Sequence, residues 1–231
     1  DIGAAFVTLL ETLRGGLIVS VQAWRGSALD DPYVIAAMAC AAQESGAVGV
    51  RIAGSEHLRA VRARVALPIV GLIKREYPGF EPYITPSVAE IREIVATGAE
   101  IVAFDATPRP RPGGDDVGSL IAAIHAEGRL ALADCATEAD GVAAAASGAD
   151  LVATTLCGYT AETAGQTLPA LELVREFAKL RRFAVCEGGV RSPAEVRAAL
   201  SAGADAVVVG SAITNIDWLV REFAGAAQGA S

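Results

Sequence analysis

The stretch SAGADAVVVGSAIT, Ser201–Thr214, decides the fold. Gly203 can adopt the positive φ that ends a helix, and Ala204 and Asp205 turn the chain. Ala206–Val209 is apolar, β-branched and too short for a helix, so it reads as a strand buried on both faces. At Gly210 and Ser211 the chain opens before another helical pattern. Backbone N–H groups at such a helix start face outward and can bind phosphate. Standing alone, the segment would be an ordinary strand-to-helix turn.

It recurs, however. Ser45–Arg51, Thr97–Asp105 and Ser147–Thr155 repeat the same helix stop, turn and strand. Their glycines, with Gly203, stand at 46, 98, 148 and 203, at intervals of 52, 50 and 55 residues. Each interval is too long for one βα unit and right for two. The intervening strands read as Gly16–Gln22, Pro68–Lys74, Arg129–Cys135 and Phe183–Glu187. Eight buried strands alternating with helices in 231 residues predict a single (β/α)8 barrel domain over 1–231 rather than an open sheet. The amino end, Asp1–Arg14, reads as a short amphipathic helix and not as a secretory signal.

Hydrophobic residues make up 52% of the chain, enough for a sizeable core. No run reaches the ~18–20 apolar residues that span a bilayer. Cys40, Cys135, Cys157 and Cys186 lack metal-like spacing and read as reduced, packed thiols of a cytoplasmic protein. The net charge of −8 argues against nucleic acid or an anionic membrane as the main partner. Yet Arg51, Lys74, Arg75, Arg109, Arg111 and Arg191 all fall at or after carboxyl ends of predicted strands. Those ends converge on one mouth of a barrel, so a basic pocket for a small anion is expected there.

Taken along the chain, the strand ends suggest chemistry. Gln22, after strand 1, can both donate and accept hydrogen bonds, as sugar hydroxyls or an N-acetyl group require. Asp31 and Pro32 start the next helix as N-cap and first-turn residue. Arg51 can hold a phosphate or orient a carboxylate. Lys74 ends an apolar strand; pointing inward beside other cations, its ammonium would be partly desolvated and its pKa lowered, fitting it as a proton-transfer base or a Schiff-base amine. Glu76–Pro86, rich in Pro and Gly, reads as an ordered loop that shapes the site. Ser87 and Glu90 read as a capping box. Pro108–Gly114, with Arg109 and Arg111, reads as a stiff flap over the mouth.

Asp134 ends strand 5, where it would orient Lys74, bind a sugar hydroxyl or cap backbone; Thr137 would cap the helix that follows. Glu187 ends strand 7, and Gly188 and Gly189 behind it permit close approach of backbone to a ligand. With Gly210 and Ser211 they form the usual phosphate cradle of such barrels. A lysine and two carboxylates beside that cradle suggest proton transfer next to a carbonyl of a phosphorylated sugar. No G-x-G-x-x-G, Walker or H-E-x-x-H pattern is present, and that chemistry requires no cofactor. The residues by themselves leave isomerase, epimerase and aldolase open.

Gly15–Ala23, Gly71–Pro78, Tyr83–Pro86, Asp105–Pro112, Thr154–Thr160 and Gly210–Thr214 together resemble, in order, the motifs of the N-acetylmannosamine-6-phosphate 2-epimerase family. The resemblance implies a cofactor-independent isomerase of sialic acid and amino-sugar catabolism that interconverts N-acetylmannosamine 6-phosphate and N-acetylglucosamine 6-phosphate. It implies Lys74 as the group that removes the C2 proton, Glu187 as its acid partner, and Asp134 and Gln22 as holders of the sugar and its N-acetyl group. Arg51 and Thr155, with Gly188, Gly189, Arg191, Gly210 and Ser211, are the further expected substrate contacts. The chain has Gly189 and Asn215 where that family usually has arginine, and Arg191 is expected to replace part of the charge. The alternatives are a related acylamino sugar as substrate, a Schiff-base aldolase built on Lys74, or a barrel that binds ligand without turnover. The resemblance and the apolar helices are compatible with a homodimer.

Overall fold

The computed structural model describes residues 2–228. Eight parallel strands close on themselves in sequence order. They are β1 (Leu17–Val21), β2 (Gly49–Ala53), β3 (Ile69–Leu72), β4 (Ile101–Asp105), β5 (Leu130–Asp134), β6 (Leu151–Ala153), β7 (Phe183–Glu187) and β8 (Ala206–Val209). The ring closes where Leu17, Ile18 and Val19 of β1 pair with Val207, Val208 and Val209 of β8. The chain is thus the (β/α)8 barrel that the repeat predicts.

Alternate residues of each strand enter the barrel. Ile18, Leu72, Ala103, Leu132, Val185 and Val208 belong to the interior cluster, whereas Val19, Val50, Ile69, Val102 and Ala131 pack outward with the helices. Helix α1 (Ile2–Leu13) brings Leu13 onto the interior cluster, with Leu9 and Leu10 against it, and so caps the barrel at the amino ends of the strands. Asp1, the first residue of the expected helix, lies outside the described residues. Gly49 makes this cap possible: a Cβ there would sit 2.9 Å from Leu13 Cδ2.

Outside lie α2 (Pro32–Glu44), α3 (Ser55–Arg62), α4 (Val88–Val95), α5 (Val117–Ala126), α6 (Glu138–Ala146), α7 (Leu171–Ala178) and α8 (Pro193–Ser201). After β8 come the short α9 (Ser211–Thr214) and α10 (Ile216–Gln228). Asp31 caps α2, accepting from the N–H groups of Tyr33 and Val34, and Thr137 with Asp140 forms a capping box on α6.

The expected capping box on α4 does not form. Ser87 accepts from Ala89 N, but the Glu90 carboxylate is fully buried and turns away into a cluster of partly buried donors. There Arg75 (2.6 Å), Tyr77 OH (2.7 Å) and Ser87 Oγ (2.5 Å) all donate to it. A guanidinium and two hydroxyls outcompete a single backbone N–H. The same cluster folds Glu76–Pro86 back on β3: Lys74 bridges Ile84, and Arg75 N donates to Tyr83 O at 2.9 Å. The loop is therefore a hairpin that returns Tyr83 and Ile84 to the mouth.

Candidate active site

Strand parity carries one side chain per strand inward at the carboxyl ends. Val70 and Leu72 are interior residues, so Lys74 follows them inward; Leu130 and Leu132 carry Asp134, Leu151 and Ala153 carry Thr155, and Phe183 and Val185 carry Glu187. These ends open on a cavity of about 450 Å³, a volume suited to a small ligand. Gln22, Arg51, Lys74, Thr155, Glu187, Gly188, Gly189, Arg191, Gly210 and Ser211 all line it. Of the expected site residues, Asp134 alone has no surface on the cavity; it is 0% exposed, beneath the others.

Arg51 explains why. Sequence position put it at a strand end, but β2 continues through Ile52 and Ala53, which pair with Gly71 and Leu72 of β3. Arg51 is therefore mid-strand and 1% exposed. Its Nη1 and Nη2 donate to Asp134 Oδ1 (3.0 Å) and Oδ2 (2.6 Å), and Nη1 also lies 3.0 Å from Glu187 Oε2. Burial disfavours the guanidinium charge, but Asp134 and Glu187 outweigh it and raise its pKa further. Thr155 Oγ1 joins the carboxylates from the other side, 2.6 Å from Asp134 Oδ1 and 3.2 Å from Glu187 Oε2.

One guanidinium thus stands between two carboxylates, and the surplus falls on Glu187. Burial pushes its carboxyl up to about 7, with Arg51 opposing, Asp134 adding to the rise, and Thr155 and Lys74 opposing. Lys74 shifts the other way. Its side chain is exposed at the cavity surface yet surrounded by protein, and desolvation, then the Arg51 cation, lower its pKa against the pull of Glu187 and Asp134. Gln22 Nε2 donates to Ser20 Oγ at 2.9 Å, leaving Oε1 buried and without a partner.

The basic mouth expected from six cations is smaller than the sequence suggested. Arg75 is held by Glu90 and Glu93. Arg109 and Arg111 fold onto Asp105, the inward carboxylate of β4, so their loop does not line the cavity. Each of these three arginines found a carboxylate nearer than the mouth. Arg191 does reach the cavity edge, with its guanidinium 5.3 Å from the centre of the Trp218 ring. At Gly189, φ is +71° and a Cβ would lie 2.3 Å from Leu168 Cβ, so this corner holds glycine only.

Sequence reasoning gave no role to Tyr83, Trp24, Tyr159 or Trp218, which also line the cavity. Trp24 follows Gln22 by two residues, so the parity that brings Gln22 inward points to it as well. Trp218 arrives on α10, and no periodicity signals that. The N–H groups of Ser211 and Ala212 bond to nothing among the described residues, whereas those of Ile213 and Thr214 go back to Gly210 O. Both residues line the cavity beside Gly210.

Comparison with known proteins agrees with this geometry. The family model for N-acetylmannosamine-6-phosphate epimerase, NanE, matches residues 35–229. A relative from Synechococcus elongatus carrying the name N-acetylmannosamine-6-phosphate 2-epimerase is 48% identical, covering 93% of this chain and 94% of its own length. One from Clostridium perfringens with the same name is 40% identical over 93% and 98%. The solved N-acetylmannosamine-6-phosphate 2-epimerase of Clostridium perfringens superimposes with a TM-score of 0.91 at 39% identity, covering 94% of this chain and 95% of that one. Thiamine phosphate pyrophosphorylase from Pyrococcus furiosus, at a TM-score of 0.60 and 15% identity, shares the fold alone. With the family model matching most of its length and relatives of that name 40% and 48% identical over nearly the whole of it, the chain belongs to the N-acetylmannosamine-6-phosphate epimerase family.

Proposed function

We propose that this chain interconverts N-acetylmannosamine 6-phosphate and N-acetylglucosamine 6-phosphate in the cytoplasm by removing and returning the proton on C2. The observation that carries this reading is the opposed tuning of Lys74, after β3, and Glu187, at the end of β7, on one cavity: an amine biased toward its neutral form and a carboxyl that keeps a proton to about 7. Each is then a proton-transfer group of the right kind near neutral pH.

The C2 proton becomes acidic once the sugar ring opens and C1 is a carbonyl. Lys74 takes that proton, the C–H electrons move into the C1–C2 bond, and the carbonyl π electrons move to oxygen. Glu187 gives its proton to that oxygen, which spares the site a full enolate charge. The enol O–H proton then passes back to Glu187 as the carbonyl re-forms, and C2 takes a proton on its opposite face from the Lys74 ammonium, to which rotation about C2–C3 presents that face; both groups are reset and the configuration is inverted. Arg51 and Asp134 brace Glu187 from beneath. The unpartnered Gln22 Oε1 accepts from the acetamide N–H, and Arg191 with the N–H groups of Gly189, Gly210 and Ser211 receives the phosphate.

Proton NMR of the purified protein with N-acetylmannosamine 6-phosphate in D2O tests this reading. Loss of the C2 proton signal with growth of the gluco epimer is the expected result. Binding with neither exchange nor conversion would refute it.

A second reading concerns the far end of the substrate. Leu168 fills the space beside Gly189, and the only cation at the outer rim, among the described lining residues, is Arg191. That favours weaker selection for phosphate, so N-acetylmannosamine without phosphate belongs in the same assay. For assembly we infer a homodimer in which a second copy covers α10. Its Ile216, Val220 and Phe223, spaced as one helical stripe, are 53%, 60% and 75% exposed.

A further inference from the structure

The hydroxyl of Thr155 has one proton to give and two carboxylates within reach. It stands 2.6 Å from Asp134 Oδ1 and 3.2 Å from Glu187 Oε2, so the proton goes to Asp134. That completes the set of donors on Asp134: Arg51 Nη1 and Thr155 serve Oδ1, and Arg51 Nη2 serves Oδ2. Glu187 is left with a share of Nη1 on Oε2. Its Oε1 accepts no hydrogen bond among the described residues. Two carboxyls sharing one guanidinium differ, therefore, in how well each is supplied with donors, and the poorer one takes the proton.

We propose that Thr155 is a positioning residue: by spending its single proton on Asp134 it leaves Glu187 as the member of the pair that carries the exchangeable proton. This rests on the reading of Glu187 as the acid of the site. It also separates Thr155 from the substrate contacts: it lines the cavity, but its hydroxyl is committed below. The raised Glu187 pKa agrees with the geometry. The charged groups facing Glu187 are Arg51 from β2, Lys74 beyond β3 and Asp134 from β5; Tyr83, Tyr159 and Arg191 line the same cavity.

Removing the hydroxyl takes its donor from Asp134, so Asp134 then competes with Glu187 for the proton and the macroscopic pKa of the pair rises. The test uses Thr155→Val, which keeps the branched shape, and Thr155→Ser, which keeps the hydroxyl. The carboxyl carbons of the ligand-free protein, labelled at Glu and Asp, are titrated by NMR, with Glu187→Gln assigning the signal. In Thr155→Val the step seen at the Glu187 carbon should move up by about half to one pH unit and part of its amplitude should pass to the Asp134 carbon. In the assay, kcat should fall about tenfold with KM nearly unchanged, and the pH limb near 7 should move by the same amount. Serine should restore all three. An unmoved midpoint, a rise in KM at constant kcat, or failure of serine to restore would each overturn the proposal. A midpoint that shifts in a protein unable to turn over the sugar would support Thr155 and refute the epimerase reading instead.

Discussion

Lys74 makes no ion pair among the described residues, although Glu187 and Asp134 are near enough to bias it. A free, partly desolvated amine is a base rather than a structural cation. Lys74→Met should lower C2 proton exchange about 10²–10⁴-fold while the protein stays folded, as exchange into D2O and a thermal melt would read together. Glu187 gives a prediction of the opposite kind. Its pKa is raised from 4.5 to about 7 in the fold, so the folded state holds a proton that the unfolded chain has released between those values. Stability contributed at this position is present below 4.5 and is lost as pH rises through 7. Glu187→Gln should therefore gain in melting temperature over the parent as pH goes from 5 to 8, while losing the activity limb near 7. A melting difference that is flat with pH would contradict the assigned shift. Lys74, Gln22 and Glu187 were legible because an apolar run of fixed parity ends on each. The Arg51–Asp134 pair was not, because its members lie 83 residues apart and no local pattern couples them. Arg75, Arg109 and Arg111 were misjudged for a related reason: a strand end fixes a residue's layer, not which carboxylate captures it.

The element that decides the shape of the mouth is the hairpin between Lys74 and Ile84. Its Pro and Gly content announced an ordered loop, but the device that orders it is the buried Glu90 with its three donors. Local sequence suggested Glu90 as a helix cap, since Ser87 precedes it at capping-box spacing; the charge of Arg75, brought back by the turn, overrides that preference. Burial raises the Glu90 pKa, but the bonds from Ser87, Tyr77 and Arg75 outweigh it and hold the carboxyl below 4.5. The stabilisation is accordingly present above 4.5 and is lost as pH falls through the lower folded value. Glu90→Gln should cost about 1–3 kcal/mol at pH 7, and the difference from the parent should shrink in acid. Because the hairpin carries Tyr83 into the cavity, KM should rise in this variant more than kcat falls. Denaturant titrations at pH 7 and pH 4, with steady-state kinetics, would check both.

For the whole molecule, the four repeated Gly-Ala turns predicted closure into a barrel, and the closed order from β1 to β8 follows from them. The position of the last helix does not follow. α10 has no buried residue; one side rests on the loop after β1, where Ser27 Oγ donates to Asp217 at 2.6 Å and Arg221 lies 4.2 Å over the Trp24 ring. The other side presents Ile216, Val220 and Phe223 to solvent. The same helix holds Trp218 at the cavity, so whatever fixes α10 also fixes one wall of the site. A polar pair and two cation–π contacts, the second from Arg191 to Trp218, are worth about 1 kcal/mol each, too little to hold a thirteen-residue helix alone. In the proposed homodimer, burial of the stripe against the second copy would supply the missing apolar contact at roughly 25 cal/mol per Å². Phe223→Asp should therefore convert a dimer to a monomer by light scattering, lower the melting temperature, and raise KM through Trp218 while the Lys74–Glu187 chemistry persists. A parent protein that is monomeric at assay concentration, with Phe223→Asp kinetics unchanged, would show instead that α10 is held by its own chain.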